Sequence, residues 1–527
     1  MRFPEKLSWQ RSLVFCLAGG LSCSPLGYSQ EVIQQVEAVI DQASQQEAAA
    51  EQINDPVLRN GPIFVDWPKP QVAILFSGEL NGYLEPCGCA GLDNQKGGLK
   101  RRQTLIRQLE AKQWPVVSFD MGGQVRRLGP QGEIKYRYVI ESLTKLGYSA
   151  IGLGERELQI DANYLTYVLS NYEQDANPVV SANISIIDPS IGLSSRYRVI
   201  QVKGKKIGVT SVLGKKYQSE IQDVSDIVST DPVAALEELM PTLMAEGCDL
   251  LVLLAHADPD EARELSRQFP QFQMVATTGG AEIPPKEARK IEGSEAHLIE
   301  VGHKGMYVAV VGLFDDAEQP FRYQRVPLDH RFKDSDEMQA MLTAYQNELK
   351  NMGLEGLGLL GLKHSTDSFV GSEVCADCHT SATEVFEMTP HAHATDTLVM
   401  LDPPRQYDPE CLSCHVTGWE PQEYFPYMSG YRSLEKTPHL VGNGCENCHG
   451  PGAAHVAAES GEEELSESEI ESLRSAMRLE VVENEGNLDG QELGVVVKNC
   501  LRCHDLDNSP AFDFQQYWPK VAHPGKD

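Results

Sequence analysis

The chain has 527 residues, 41% of them apolar, and a formal net charge of -31. That length predicts two to four domains with packed cores. The acidity argues against nucleic acid and anionic membrane surfaces as partners and is compatible with a basic protein partner, though a merely solubilising surface reads the same way.

In chain order, Arg2, Lys6 and Arg11 precede the short apolar run SLVFCLAGGL, and small residues follow in SPLGYSQ. This is the pattern of an export signal over residues 1–29, too short to span a bilayer. Cys23 in GLSC is an alternative lipid-anchor position, although Gly20 stands where that signal favours Leu. No other run is long and apolar enough to cross a membrane. The mature chain is therefore expected to be periplasmic, in an oxidising compartment. Residues 30–67 open with a polar, Gln/Ala/Glu-rich stretch and read as a flexible leader.

From Gln71 the pattern changes. QVAILFS, PVVSFD, SAIGLG, PVVSANIS, DLLVLLAHA and QMVATTG are apolar, β-rich runs bounded by turn residues. Helical patterns such as KRRQTLIRQLEAK and PVAALEELMPTLMAE alternate with them. The alternation predicts a layered α/β sandwich over 68–330. RYRVIQVKGKKIGVTSVL predicts a hairpin turning at KGKK, and HLIEVGHKGMYVAVVGLF a second turning at GHKG. SDEMQAMLTAYQNELKNM predicts a helix, followed by the Gly/Leu stretch GLEGLGLLGLK as a linker, together 331–365.

Beyond that point, over 366–527, the composition shifts. Eight of the 13 cysteines and ten of the 14 histidines fall in roughly the last 165 residues. The eight cysteines form four copies of one pattern: Cys375-x-x-Cys378-His379, Cys411-x-x-Cys414-His415, Cys445-x-x-Cys448-His449 and Cys500-x-x-Cys503-His504. Zinc chemistry does not require His beside each second Cys, nor does a redox dithiol. Covalent c-type haem uses all three residues: two thiols for the vinyl groups and the adjacent His for the iron. Four c-type haems are expected, with zinc-ribbon and disulfide readings as alternatives. About 40 residues per haem is too little chain for an ordinary core, so the porphyrins are expected to be most of it. Histidines outside the motifs are candidates for the sixth iron position, above all His391, His393, His455 and His523. An acidic insert from Gly461 carries a capping box, Ser466 with Glu469, and reads as a solvated surface helix.

GSEVCADCHTSATEVFEMTPHAHATDTL, DPECLSCHVTGW, GCENCHGPGAAHV and CLRCHDLDNSPAFDFQQYWPKVAH resemble the tetrahaem cytochrome c-554 type of multihaem cytochrome, over about 365–527. The resemblance implies a mostly α, haem-packed electron-carrying domain with mainly bis-His irons. It also implies that one iron is open to small nitrogen or oxygen species.

Five segments of the α/β region form another set: SGELNGYLEP, SFDMGGQ, GLGERELQ, LLAHAD and ATTGGAE. They resemble the motifs of calcineurin-like metallophosphoesterases of the 5'-nucleotidase type, over about 70–330. Glu79 and Asn81 stand where that family has Asp and His, and Gly123 where a metal-bridging Asp belongs. Glu155 and Arg156 replace an Asn-His pair, and ATTGGAE lacks its histidines, while His256 is kept. A two-metal site needs a bridging carboxylate and several His or Asn ligands around cations about 4 Å apart. Loss of the dimetal site is therefore expected. Cys87 and Cys89, in LEPCGCAGLDNQKGGLKRR, sit beside the first altered motif and resemble a PCGC pattern of phosphoesterase-like domains fused to cytochromes. They read either as a structural pair or as an additional metal or redox site. The sequence as a whole predicts an exported electron-transfer protein with redox protein partners. Two alternatives stay open: a haem enzyme acting on a small nitrogen species at an open iron, or a phosphohydrolase with a remodelled metal site.

Overall fold

The computed structural model of the chain describes residues 55–86, 95–173, 176–479 and 494–525. The expected export signal, Cys23, the leader as far as residue 54, Cys87 and Cys89 lie outside the described residues. Residues 55–62 fall in a unit apart from 63–527. In that first unit Asp55 caps the short helix Pro56–Asn60, its carboxylate accepting the N–H groups of Val57 and Leu58.

The strands of the larger unit are β1 (Val72–Ser77), β2 (Val116–Asp120), β3 (Tyr148–Ile151), β4 (Ile184–Ile186), β5 (Arg198–Val202), β6 (Lys205–Leu213), β7 (Ile227–Ser229), β8 (Leu250–His256), β9 (Met274–Thr277), β10 (Arg289–Lys290), β11 (His297–Glu300), β12 (Tyr307–Leu313) and β13 (Phe321–Pro327). One sheet runs β13-β12-β1-β2-β3, parallel from β1 to β3 with an antiparallel edge. The other runs β10-β11-β9-β8-β6-β5, parallel from β11 to β6. Period-two alternation sorts their side chains into layers. Val72, Ile74 and Phe76 of β1 meet Val252 and Leu254 of β8 between the sheets. Ala73 and Leu75 point the other way, onto Leu105 and Leu109 of helix Leu99–Ala111 and Val139 and Leu143 of helix Pro130–Lys145. On the far side, Leu251 and Leu253 cover Leu236, Leu239 and Leu243 of helix Pro232–Ala245. The result is a four-layer helix–sheet–sheet–helix sandwich. Its central strands are apolar throughout because both their faces are buried.

The first expected hairpin forms: β5 and β6 are antiparallel about Lys203 and Gly204, with φ of 47° and 83°. Positive φ at both central residues gives the turn whose twist matches the strands. The second does not form. β11 pairs with β9 and β10 in one sheet, and β12 pairs with β1 and β13 in the other. GHKG is a crossover between sheets. Lys304 and Gly305 there take φ of 57° and 59°, and a Cβ on Gly305 would lie 2.6 Å from Leu80. Two consecutive apolar strands look like a hairpin in sequence, but β12 instead lies beside β1 in the other sheet.

Helix Asp336–Gly356 lies back on the sandwich, with Met338, Leu342, Tyr345 and Leu349 buried in the same cluster as Leu105 and Val139. Arg137 forms an ion pair with its Glu348. The following region is built of short helices and one two-stranded ribbon, β14 (Trp419–Glu420) with β15 (Phe425–Pro426). Its buried apolar clusters are small: seven residues around Trp419 and Tyr431, and three around Val497. No described helix is long and apolar enough to cross a membrane.

Candidate functional sites

Each CxxCH occupies about one helical turn. Cys411 to His415 close helix Pro409–His415, Cys445 to His449 make up a helix of their own, and Cys375 and Cys500 lie near the ends of Ser372–Ala376 and Val495–Leu501. The N–H of His379 donates to the carbonyl of Cys375 at 3.0 Å, and that of His504 to Cys500 at 2.9 Å. Helical spacing puts residues i, i+3 and i+4 on one face, so two thiols and an imidazole converge. Asp408 caps the helix of the second motif, with Pro409 in its first turn. Between the cysteines of the third motif, buried Glu446 accepts the N–H groups of Gly371 (2.7 Å) and Gly452 (2.9 Å), and Asn447 donates to the carbonyl of Val416. These two residues fasten the third motif to the approaches of the first and second.

The motifs touch one another out of chain order. The thiol of Cys375 is within hydrogen-bond reach of Cys445, and that of Cys503 within reach of Cys414. Asn499, beside Cys500, donates to the carbonyl of Cys448 at 2.8 Å. The third motif thus meets the first and the fourth, and through Asn447 the segment after the second, which also meets the fourth. No disulfide joins any of the nine described cysteines.

Three motif histidines face a histidine from outside the motifs. His379 and His455 have ring centres 6.4 Å apart, His391 and His504 5.9 Å, and His449 and His523 5.7 Å. A metal–nitrogen bond of about 2 Å on each side separates two ring centres by roughly 6 Å, so these pairs fit an iron between them. His393 is placed differently. It caps helix Ala394–Met400 with its Nε2 3.1 Å from the carbonyl of Glu387, and no motif imidazole lies across from it among the described ring contacts. His415 likewise has no imidazole partner there; its Nδ1 donates to the carbonyl of Ala394 at 2.7 Å. His449 Nδ1 donates to the carbonyl of Met477 at 2.6 Å, and His504 Nδ1 lies 3.0 Å from the hydroxyl of Ser509. Met477 ends helix Glu467–Met477, which has the expected capping box and is joined to the helix of His455 through Arg474 and Glu459. The acidic insert thus meets His449 through a backbone carbonyl and the helix of His455 through an ion pair. Nothing in its sequence marked that role, because a backbone carbonyl has no sequence signature.

The second site lies at the carboxyl ends of β1, β2, β3 and β8, where open parallel sheets bind ligands. Glu79 and Asn81 follow β1 with φ of 50° and 53°. Their N–H groups donate to the carbonyls of Gly122 and Gly123, which lie beyond β2. His256 ends β8 and is buried. Its Nδ1 donates to the carbonyl of Met121 at 2.9 Å, and its Nε2 lies 2.8 Å from Glu155 and 3.6 Å from Glu79. Burial would push this imidazole down, but the hydrogen bond to Glu155 and the charges of Glu79, Glu155 and Glu157 lift it to about 9. Burial raises Glu79, and pushes Glu157 up to about 7. Burial would raise Glu155 too, but His256 holds it below the ordinary range. Gly123 occupies the bridging position; its N–H donates to Glu157, and a Cβ there would lie 3.0 Å from the backbone of Glu79. Asp120 is engaged by Ser77, Gln124 and the N–H of Gly122. The cluster's carboxylates therefore close on His256 and on backbone donors. Among the described residues no group of three or more His, Cys, Asp or Glu is placed to hold a metal ion. Arg156 points outward, its side chain 46% exposed. Beside this cluster a cavity of about 250 Å³ opens between Asn81, Tyr83, Arg126, His303, Lys304 and Asp507.

Residues 374–450 match the family described as cytochrome c554 and c-prime. Cytochrome c-554 of Nitrosomonas europaea is 35% identical over 97 residues, 16% of this chain and 39% of that protein. The snake venom 5'-nucleotidase of Gloydius brevicauda is 23% identical over 316 residues, 55% of this chain and 53% of the relative. The chain spans about half the length of the curated nucleotidases it first matches. Among solved structures, a 5'-nucleotidase precursor from Thermus thermophilus aligns with a TM-score of 0.45 and 18% identity, covering 62% of this chain and 66% of that one. One chain therefore joins an N-terminal part similar to 5'-nucleotidases to a C-terminal part that matches the cytochrome c554 family.

Proposed function

We propose that the protein is an exported electron carrier holding four covalent c-type haems. The cysteines of the four motifs would attach them, and His379, His415, His449 and His504 would ligate the irons on the motif side. His455, His523 and His391 would complete the irons of the first, third and fourth motifs. Bound haem supplies one-electron chemistry; the chain contributes spacing, ligand identity and burial. The observation that carries this reading is the set of three imidazole pairs, each uniting one motif histidine with one from outside, at 5.7 to 6.4 Å. The sparse apolar packing of the C-terminal part supports it, since a porphyrin would fill the space that side chains leave. The acidic surface suits a basic redox partner.

A second reading rests on His415. With no imidazole opposite it among the described residues, that centre would have room for a small ligand, as an enzyme acting on nitrogen species requires. The nucleotidase-like part is proposed to carry no dimetal centre: His256 supplies the positive charge that the carboxylates need. Electron paramagnetic resonance of the oxidised, haem-loaded protein tests the readings together. Three low-spin signals and one high-spin signal are expected, from a protein whose haem-to-chain ratio is four. Four low-spin signals would remove the enzyme reading and leave the carrier. A ratio below four would overturn the carrier reading as stated.

A further inference from the structure

The four-haem reading assigns the nucleotidase-like part no task, yet that part grips the haem-bearing region, and two of its holds lie beside CxxCH motifs. Gln131 donates to Asp408 at 2.8 Å and Lys135 pairs with Glu410 at 2.6 Å, just ahead of Cys411. The second grip falls on the turn after His504. Asp507, at its tip, forms ion pairs with Arg126 and with Lys304, which also pairs with Glu282 at 2.8 Å. Arg126 follows β2 by a few residues, and Lys304 lies in the crossover between the two sheets. The two cations therefore come from loops that the sandwich carries.

The turn itself is small. The N–H of Ser509 donates to the carbonyl of Asp505 at 2.8 Å, and that of Asn508 to the Asp505 carboxylate at 2.7 Å. Ser509 then presents its hydroxyl to His504 Nδ1 at 3.0 Å, while Phe512 stacks on the imidazole at 4.5 Å. His415 and His449 donate to backbone carbonyls, which are fixed by their own helices. A serine hydroxyl is a weaker acceptor and it rotates, so what it does for His504 depends on how the turn is held.

We propose that the nucleotidase-like part is a positioning device for His504: Arg126 and Lys304, through Asp507, hold the turn that sets Ser509 against the imidazole. A ligand imidazole whose second nitrogen donates a firm hydrogen bond is the better electron donor to its metal. Loosening the turn therefore makes the iron held by His504 easier to reduce, without touching a ligand. The proposal rests on the reading that His504 ligates a haem.

The test is a spectroelectrochemical titration of the four-haem protein beside three variants: Ser509→Ala, Asp507→Asn and the double variant Arg126→Gln/Lys304→Gln. Each should shift one of the four midpoint potentials positive and leave the other three in place. The signs discriminate. Charge alone would move the potential positive when Asp507 is neutralised and negative when the two cations are, whereas positioning moves both the same way. Opposite shifts, or no shift in either grip variant while Ser509→Ala shifts one haem, would overturn the proposal and leave the four-haem reading intact. A wild-type haem count unchanged by Cys500→Ala/Cys503→Ala would overturn the reading, and the proposal with it.

Discussion

Raising the pH from 7 to 10 should remove one proton from the nucleotidase-like part and destabilise it by about 3 kcal/mol, through His256. The imidazole is lifted from its ordinary 6.5 to about 9 in the folded chain. Two and a half decades of proton affinity correspond to about 3 kcal/mol. A group whose affinity for the proton rises on folding contributes its full stabilisation below the unfolded value, and loses it as the pH passes through the folded one. The loss therefore begins near 6.5 and is complete above about 9. Glu157, pushed up to about 7 by burial, follows the same rule in a lower window, from 4.5 to 7. Denaturant unfolding of the haem-loaded protein, followed by far-ultraviolet circular dichroism at half-unit steps, should give a slope approaching 1.4 kcal/mol per pH unit between 7 and 9. His256→Gln keeps a donor toward Glu155 but cannot carry the charge, so its slope there should be nearly flat. Parallel slopes in the two proteins would refute the buried imidazolium.

Restoring the absent bridging carboxylate with Gly123→Asp should fail to create a phosphatase. Gly123 has a φ of 76° and its Cβ would meet Glu79 at 3.0 Å, so a loss of about 1–3 kcal/mol in thermal unfolding is expected, with no turnover in added divalent metals. His455→Ala should convert one low-spin haem to high-spin while the haem-to-chain ratio stays at four; an unchanged spectrum would detach His455 from the first motif. Asp408→Ala removes a helix cap and leaves Gln131 and Gln346 without their acceptor, at a cost of about 2 kcal/mol. Thermal loss of the Soret band should report it.

What the sequence made legible follows what each residue must satisfy. The runs VAILFS and LLVLLAH declared central strands because both their faces are apolar. Their sheet membership did not show, and so β11 and β12 looked like partners when each belongs to a different sheet. The four CxxCH motifs were plain, since three chemically distinct residues recur at fixed spacing. The histidines outside the motifs were legible only as a set: His391 and His393 are two residues apart, and only the path of the turn brings one of them toward His504. The groups that meet the Nδ1 atoms of three motif imidazoles, the carbonyls of Ala394 and Met477 and the hydroxyl of Ser509, had no signature at all.

The motifs differ in what covers them. The second motif sits against the sandwich, its cap Asp408 buried and its Glu410 clasped by Lys135. The first and third motifs leave Cys378 and Cys448 exposed. The chain is sheathed at one motif and bare at two others. A bulky partner has its approach at the bare motifs, and whatever reaches the sheathed one must pass the nucleotidase-like part.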